Sequence, residues 1–458
     1  MIPFGLLGGF CDHLEIRITG LSEEGFSFRV PKKIEKAACL EICFFDFSAD
    51  CYRKVQLAEK EREMKLTEET PFFFIYSVWT KNGEYREQVK RLVTDYDNYI
   101  SLKLAGDDAY LSEKMVGYPA ELDEVYAESF EEQKKEWFSC VGDGIQECRN
   151  TWEHKKWNIT DLPEFELAIT IDRPELYYDF LQKDWTRFCH DYWKNNFLEH
   201  HTLSKKRVTR IYIGNQFCHN LFPRKKLLFQ VLEKALENNL AVTLAFTYIR
   251  NHLLEEIDEL LQELEVWCQS REKEAGKDQE EIIVNDWAMP ILLQGKPHLK
   301  PVLGVLLNKR RKDVRLPYKH GIGNHVDSLA ENNLNCGFYQ DYLKNTFDIQ
   351  RFEFESCGYK VTIPDGHHSL HLPFFQTNTS QYCTLYAVCR YGDRGKQKLP
   401  ENCPRYCNKK VFLYPKHLKM VGRYNSLFGY DEKILWDEKQ LQDYLEQGID
   451  RIVVNVSL

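Results

Sequence analysis

The chain has 458 residues, material for two or three domains of ordinary size. Its 61 basic against 70 acidic side chains leave a formal charge of −9, which excludes a uniformly basic protein that coats nucleic acid. With 43% hydrophobic and 14% aromatic residues it has a folded composition rather than a disordered one, and its 15 cysteines are more than so long a chain needs as disulfide staples.

The apolar start, Met1 to Phe10, lacks a basic flank and runs into Asp12 and Glu15, so it does not read as a secretory signal. No apolar run approaches the roughly 18 residues of a spanning helix; Pro71 to Trp79 is strand-length. The expectation is a cytoplasmic protein with no membrane span, its thiols free and mostly buried as small hydrophobes.

From 10 to 115, β-type runs alternate with turn signals: Leu14–Ile18, Gly25–Val30, Ala38–Phe45, Phe72–Trp79 and Asn98–Leu104, with Lys81-Asn82-Gly83 as a turn. These predict a small antiparallel β-barrel or sandwich over 1–115. A charged, aromatic-dotted stretch follows, expected to be a solvated helical linker over 116–162.

Beyond Pro163 the buried-strand runs are Phe165–Ile171, Arg210–Gly214, Ala241–Thr247, Glu281–Val284, Pro301–Leu307, Gln350–Phe354 and Arg451–Val456. Helical stretches at Arg224–Asn238, Leu253–Trp267 and Glu438–Gln447 lie between them. Strands alternating with helices predict parallel β/α units, and residues 163–458 are the right size for a TIM-type β/α barrel.

Four cysteines fall within one short segment, Cys383, Cys389, Cys403 and Cys407, spaced C-x5-C-x13-C-x3-C. Soft thiolates select zinc or an iron-sulfur cluster, and four suit either a tetrahedral zinc or a 4Fe-4S cube; the alternative is that they are buried thiols. A second group of polar residues follows the strand ends, where β/α barrels gather ligands: Asn215 and Cys218, Asn285 and Asp286, Asn308 and Lys309, Glu355 and Cys357. Taken singly, each is also an ordinary turn or capping residue.

The series Ile211-Tyr-Ile-Gly-Asn-Gln-Phe-Cys218, Glu281-Ile-Ile-Val-Asn-Asp-Trp287, Pro301-Val-Leu-Gly-Val-Leu-Leu-Asn308, the cysteine cluster and the closing Gly448-Ile-Asp-Arg-Ile452 resembles the collagenase-like peptidase family U-thirty-two over about 165–458. The resemblance implies a TIM-type barrel, in many members a 4Fe-4S cluster on four cysteines, and in several a dioxygen-independent hydroxylation of ubiquinone precursors or RNA. In the subgroup like the ubiquinone-pathway V subunit, the ligands carried over by motif are Cys218, Cys389, Cys403 and Cys407, with Cys383 as spare or alternative fourth. The rim residues Asn215, Asn285, Asp286, Asn308 and Glu355 are the catalytic candidates. The implied substrate is RNA or a small aromatic molecule, with a partner subunit as a further implication. Ala288, where the family often has glycine, and the loop Asp313 to Leu334 depart from the pattern.

Alternatives are a peptidase, for which neither a G-x-S-x-G elbow nor an H-E-x-x-H pair is present, and a non-catalytic sensor. Gly20-Leu-Ser22-Glu-Glu-Gly25 is similar to the second half of the PilZ signature. Gly20 replaces its Asp or Asn and no R-x-x-x-R precedes it, so cyclic di-GMP binding is not expected and Ser22–Gly25 reads equally as a plain turn. Asp365-Gly-His367-His368-Ser-Leu-His371 could hold a metal or be a polar loop. Lys309-Arg310-Arg311-Lys312 with Arg315 reads as a solvated basic run or a phosphate contact.

Overall fold

The computed structural model describes residues 6–105, 134–138 and 162–456, apart from positions 13, 36, 47–48, 50, 72, 136, 276–279, 311, 313–329, 393–395, 397, 401 and 415–418. Most of the expected 116–162 linker, Arg311, Arg315 and nearly all of the loop Asp313 to Leu334 lie outside the described residues. Contacts divide the chain into two compact units, one built on Met1–Glu124 and the other on Val125–Lys312, Glu331–Phe412 and Val421–Leu458. No described helix is long and apolar enough to cross a membrane.

The first unit carries seven antiparallel strands: β1 (Leu7–Cys11), β2 (Leu14–Ser22), β3 (Gly25–Val30), β4 (Leu40–Asp46), β5 (Cys51–Leu57), β6 (Arg62–Glu69) and β7 (Phe74–Thr80), in the order β5-β4-β1-β2-β3-β7-β6. Alternation places Phe26, Phe28 and Val30 on one face of β3, where helix α1 (Gly83–Ala105) covers the sheet with Tyr85, Val89 and Leu92. The Tyr85 ring sits 5.8 Å from Phe26 and 6.0 Å from Phe44, and its hydroxyl donates to Ser22 O at 2.9 Å. Two expectations are corrected here. Asn98–Leu104 is the end of α1 and not a strand, and Asn82-Gly83 opens that helix, with Asn82 Oδ1 accepting from Tyr85 N at 2.9 Å as an N-cap. Ser22–Gly25 is a tight turn: Ser22 Oγ donates to Gly25 O at 3.1 Å, and a Cβ at Gly25 would meet Val78 O at 1.9 Å.

The second unit is built on eight parallel strands. β8 (Glu166–Ile171) leads through helices α2 (Pro174–Gln182) and α3 (Trp185–Asn195) to β9 (Arg210–Gly214). Helix α4 (Lys225–Glu237) leads to β10 (Ala241–Ala245), α5 (Leu254–Ala275) to β11 (Glu280–Val284), and the short α6 (Ala288–Leu292) to β12 (Leu299–Leu303). Then come α7 (Gly337–Phe347), β13 (Glu353–Glu355) and β14 (His368–Leu372). A long excursion precedes the last strand. It holds β15 (Phe374–Thr379), α8 (Thr384–Tyr391), β16 (Phe412–Leu413), β17 (Met420–Arg423), β18 (Ser426–Tyr430) and α9 (Glu438–Glu446), and it leads into β19 (Ile449–Val454).

The strand order β12-β11-β10-β9-β8-β19-β14-β13 runs almost full circle. A parallel bridge between Leu303 and Phe352, with Leu303 N donating to Arg351 O at 3.0 Å, brings the two ends together. The strands read as near-continuous apolar runs because both faces are covered. One face carries Ile169, Ile211, Leu244 and Ile282, all fully buried, each worth about 1.5–3 kcal/mol of burial. The other faces the ring's interior, where Ala168, Tyr212, Ala245, Ile283, Val302 and Val453 form one layer.

Below that layer the interior is ionic. Arg451 donates to both carboxylate oxygens of Glu281 (2.6 and 3.1 Å) and through Nε to Glu166 (2.6 Å), and Arg210 bridges Glu166 and Glu281. Burial raises the Glu281 pKa, but the two guanidiniums outweigh it and hold the carboxyl down at about 2. The expected solvated linker also needs correction midway along its length: Trp137 and Phe138 are buried, the former stacked on Tyr430 at 5.1 Å. Pro301–Leu307 is strand only to Leu303, because Gly304 turns the chain, its N–H donating to Val284 O at 2.8 Å.

Candidate functional site

The loop after β9 delivers Cys218. Asn215 Oδ1 accepts from the backbone N–H of both Phe217 and Cys218 at 2.9 Å, which fixes the turn that aims the cysteine. Cys383 is the N-cap of α8: its Sγ accepts from Tyr386 N at 3.3 Å and donates to Tyr424 O at 3.0 Å. Cys403 and Cys407 flank a turn in which Arg405 takes a left-handed φ of +55°, and the Cys407 carbonyl accepts from Arg423 Nε at 2.9 Å.

These four cysteines line one small cavity, walled by Leu221, Leu385, Tyr386 and Tyr424. The expected ligand Cys389 is not among its walls. It lies on α8 beyond the cap, where Lys410 is the charged group that bears on it. The fourth thiol at the cavity is Cys383.

Burial pushes the Cys218 thiol up to about 11, against a hydrogen bond from Asn220, and the charge of Cys403 adds to the rise. Burial likewise takes Cys407 to about 12, with Cys218 and Cys403 adding. Cys383 is raised by burial first and then by all three other thiols, which places the four within electrostatic reach of one another. The raised values hold Cys218, Cys383 and Cys407 as neutral thiols at pH 7, and a thiol must lose its proton to bind a metal. Among the described residues, there is no group of three or more His, Cys, Asp or Glu that could hold a metal ion. The cavity wall thus presents four thiols, which as donors are of the soft kind.

Tyr424 also lines a second cavity, at the mouth of the barrel, together with Asp172, Asn215, Gln216, Glu355 and His371. These come from the carboxyl ends of β8, β9, β13 and β14, the end of a β/α barrel where ligands gather. Glu355 accepts from Gln376 N at 2.7 Å and pairs with Lys312, while His371 Nε2 sits 2.5 Å from Glu353. Of the rim candidates, the structure brings Asn215 and Glu355 to this cavity and uses three elsewhere. Asn285 ties Phe246 O to Leu306 N, Asp286 accepts from Ala288 N and Met289 N, and Asn308 donates to Glu353 O at 3.1 Å.

Neither of the lesser candidates forms a site. His367 is exposed and paired with Asp450, while the other two histidines lie on β14, His371 bonded to Glu353 and His368 stacked on Phe352 at 4.8 Å. Of the basic run, Lys309 is exposed, but Lys312 has a 5% exposed side chain against Glu355 and Arg310 donates to Cys357 Sγ at 2.8 Å. Asp172 and Tyr424 escaped the sequence reading. Asp172 directly follows a strand and was open to the strand-end argument, whereas nothing in the sequence around Tyr424 marks it.

No protein-family model, curated protein or solved structure matches the chain.

Proposed function

We propose that the second unit is a TIM-type barrel enzyme carrying a 4Fe-4S cluster on Cys218, Cys383, Cys403 and Cys407, and that it belongs with the U-thirty-two-like barrels that hydroxylate or otherwise modify a substrate without dioxygen, alone or as a subunit. The carrying observation is the four-thiol cavity at the carboxyl end of β9, which shares Tyr424 with the barrel mouth. Four soft thiols are the donor set that a 4Fe-4S cube takes, one thiolate for each iron, and a tetrahedral zinc is the alternative that metal content separates from it.

The bound cluster would supply electron transfer. The chain's own residues set its surroundings. Asn215 holds the Cys218 loop, the Tyr424 carbonyl orients Cys383, Arg423 fixes the Cys407 turn, and Leu221 and Leu385 keep water away. We read the first unit as a PilZ-like sheet whose Ser22–Gly25 turn is structural and does not grip cyclic di-GMP.

Anaerobically purified protein should be brown and carry about four iron per chain. Cys383→Ser should lose the iron and Cys389→Ser should keep it. Colourless protein carrying zinc, or loss of iron with Cys389→Ser alone, overturns the assignment.

A further inference from the structure

The cavity at the barrel mouth holds polar atoms that the fold itself leaves unused. Tyr424 is only 3% exposed, yet its hydroxyl has no hydrogen-bond partner, and neither has the buried Oδ1 of Asp172. Both residues line this cavity, and the two side chains sense each other's charge without being bonded. A buried hydroxyl left unpaired destabilises the fold, and Tyr424 also holds a left-handed backbone with φ of +58°, which is costly for an aromatic residue. Strain and an orphaned donor on one residue, at the functional end of a barrel, point to an occupant.

The other polar groups are already matched. Glu355 has Lys312 and Gln376, His371 has Glu353, and Asn215 holds its own loop. No lysine or arginine is among the described lining residues: Arg173 and Arg423 bear on Asp172 and Tyr424 from outside the lining, and the charged groups that the wall itself presents are the carboxylates of Asp172 and Glu355. Tyr212 and Phe217 supply flat apolar wall. What remains is one acceptor and one hydroxyl donor lining the same cavity.

We propose that the barrel mouth, whose cavity of about 40 Å³ has room for an edge and not for a whole ring, takes the amide-type edge of a small, uncharged, planar molecule, its N–H donated to Asp172 and its carbonyl accepting from Tyr424. That this molecule is the substrate of a cluster-bearing barrel rests on the function proposed above; that it binds does not.

The test is calorimetric titration of the full chain with 2-pyridone, which carries such an edge. Saturable binding is expected, with cyclohexanone, an acceptor only, and benzoate, an anion, both weaker. Tyr424→Phe and Asp172→Asn should each weaken 2-pyridone binding roughly three- to tenfold, the scale of one hydrogen bond. Tyr424→Phe should keep or raise the melting temperature, since the hydroxyl it removes has no partner, so a lost affinity is not a lost fold. Cys403→Ser should leave the affinity unchanged. Failure of 2-pyridone to saturate, or binding that both variants leave intact, overturns the proposal. Binding by protein that holds no iron upholds this site and fails the cluster assignment alone.

Discussion

Arg451 is 2% exposed and spends its whole guanidinium on Glu281, Glu166 and the Tyr212 hydroxyl. Replacing a buried pair with apolar groups can be neutral, but removing one partner strands the other charge. Arg451→Met should therefore destabilise the second unit by about 3–5 kcal/mol in urea unfolding, and Arg451→Met with Glu281→Leu should recover most of the loss. A single variant within 1 kcal/mol of the parent would mean that water reaches Glu281. At this scale the sequence is readable for chemistry and not for direction. The cysteine cluster was evident from its density, but spacing could not choose between Cys383 and Cys389. Six residues are about 1.7 helical turns, so once Cys383 caps α8 at the cavity, Cys389 is carried round to another side. Tyr424 is less legible still, because its place depends on a backbone angle and on two cavities built from distant segments.

Among the elements, α1 shows how one dipeptide supports two structures. Asn-Gly is a hairpin signal, and it follows the strand Phe74–Thr80, but Asn is also a favoured N-cap. What decides is the segment that follows, in which Tyr85, Val89, Leu92 and Tyr99 recur at helical spacing and are all buried. Asn82→Ala should cost about 0.5–2 kcal/mol, and Asn82→Asp should cost little, as measured by thermal unfolding. Equal loss in both would show that the Tyr85 N–H bond is not the contribution. Seven of the eight parallel strands are legible in the sequence, β9 to the residue and the others to within a few, because burial on two faces leaves an apolar run bounded by turns, whereas β14 is hidden because its histidines and serine read as a polar loop or metal site. Strands β5 and β6 were missed because their alternation is diluted by charge, as in Arg62-Glu-Met-Lys-Leu-Thr-Glu-Glu69, where no residue is fully buried.

At the scale of the whole molecule, two histidines tie stability to pH. His201 accepts from Leu203 N on Nδ1 and meets Leu435 O at 2.6 Å through Nε2, and His368 accepts from Phe352 N on Nδ1. Each is therefore a neutral ring, and burial holds both near pKa 4, with Arg351 adding at His368. The unfolded chain takes up these protons near pH 6.5 and the folded chain only near 4, so stability is full above 6.5 and falls as the pH drops through that window. The loss approaches something on the order of 3 kcal/mol per ring. Urea midpoints at pH 7 and pH 5 check this, and a flat profile would mean that one or both rings are charged in the native state. Below about 4.5, protonation of Glu281 adds a further loss in the same direction.

The ring of eight strands is laced by continuous ladders everywhere except between Leu303 and Phe352, where one bridge joins its ends. Side chains that follow β12 supply what the backbone ladder lacks there: Asn308 donates to Glu353 O, Arg310 to Cys357 Sγ, and Lys312 pairs with Glu355. Gly304 lies beside the bridge, with Asn285 Oδ1 where a Cβ would stand only 2.2 Å away. Closure of the ring on the flank opposite β8 and β9 therefore rests on side chains more than on backbone pairing, so a substitution at Asn308 or Lys312 loosens the wall there while Asn215 and the Cys218 turn stay in place.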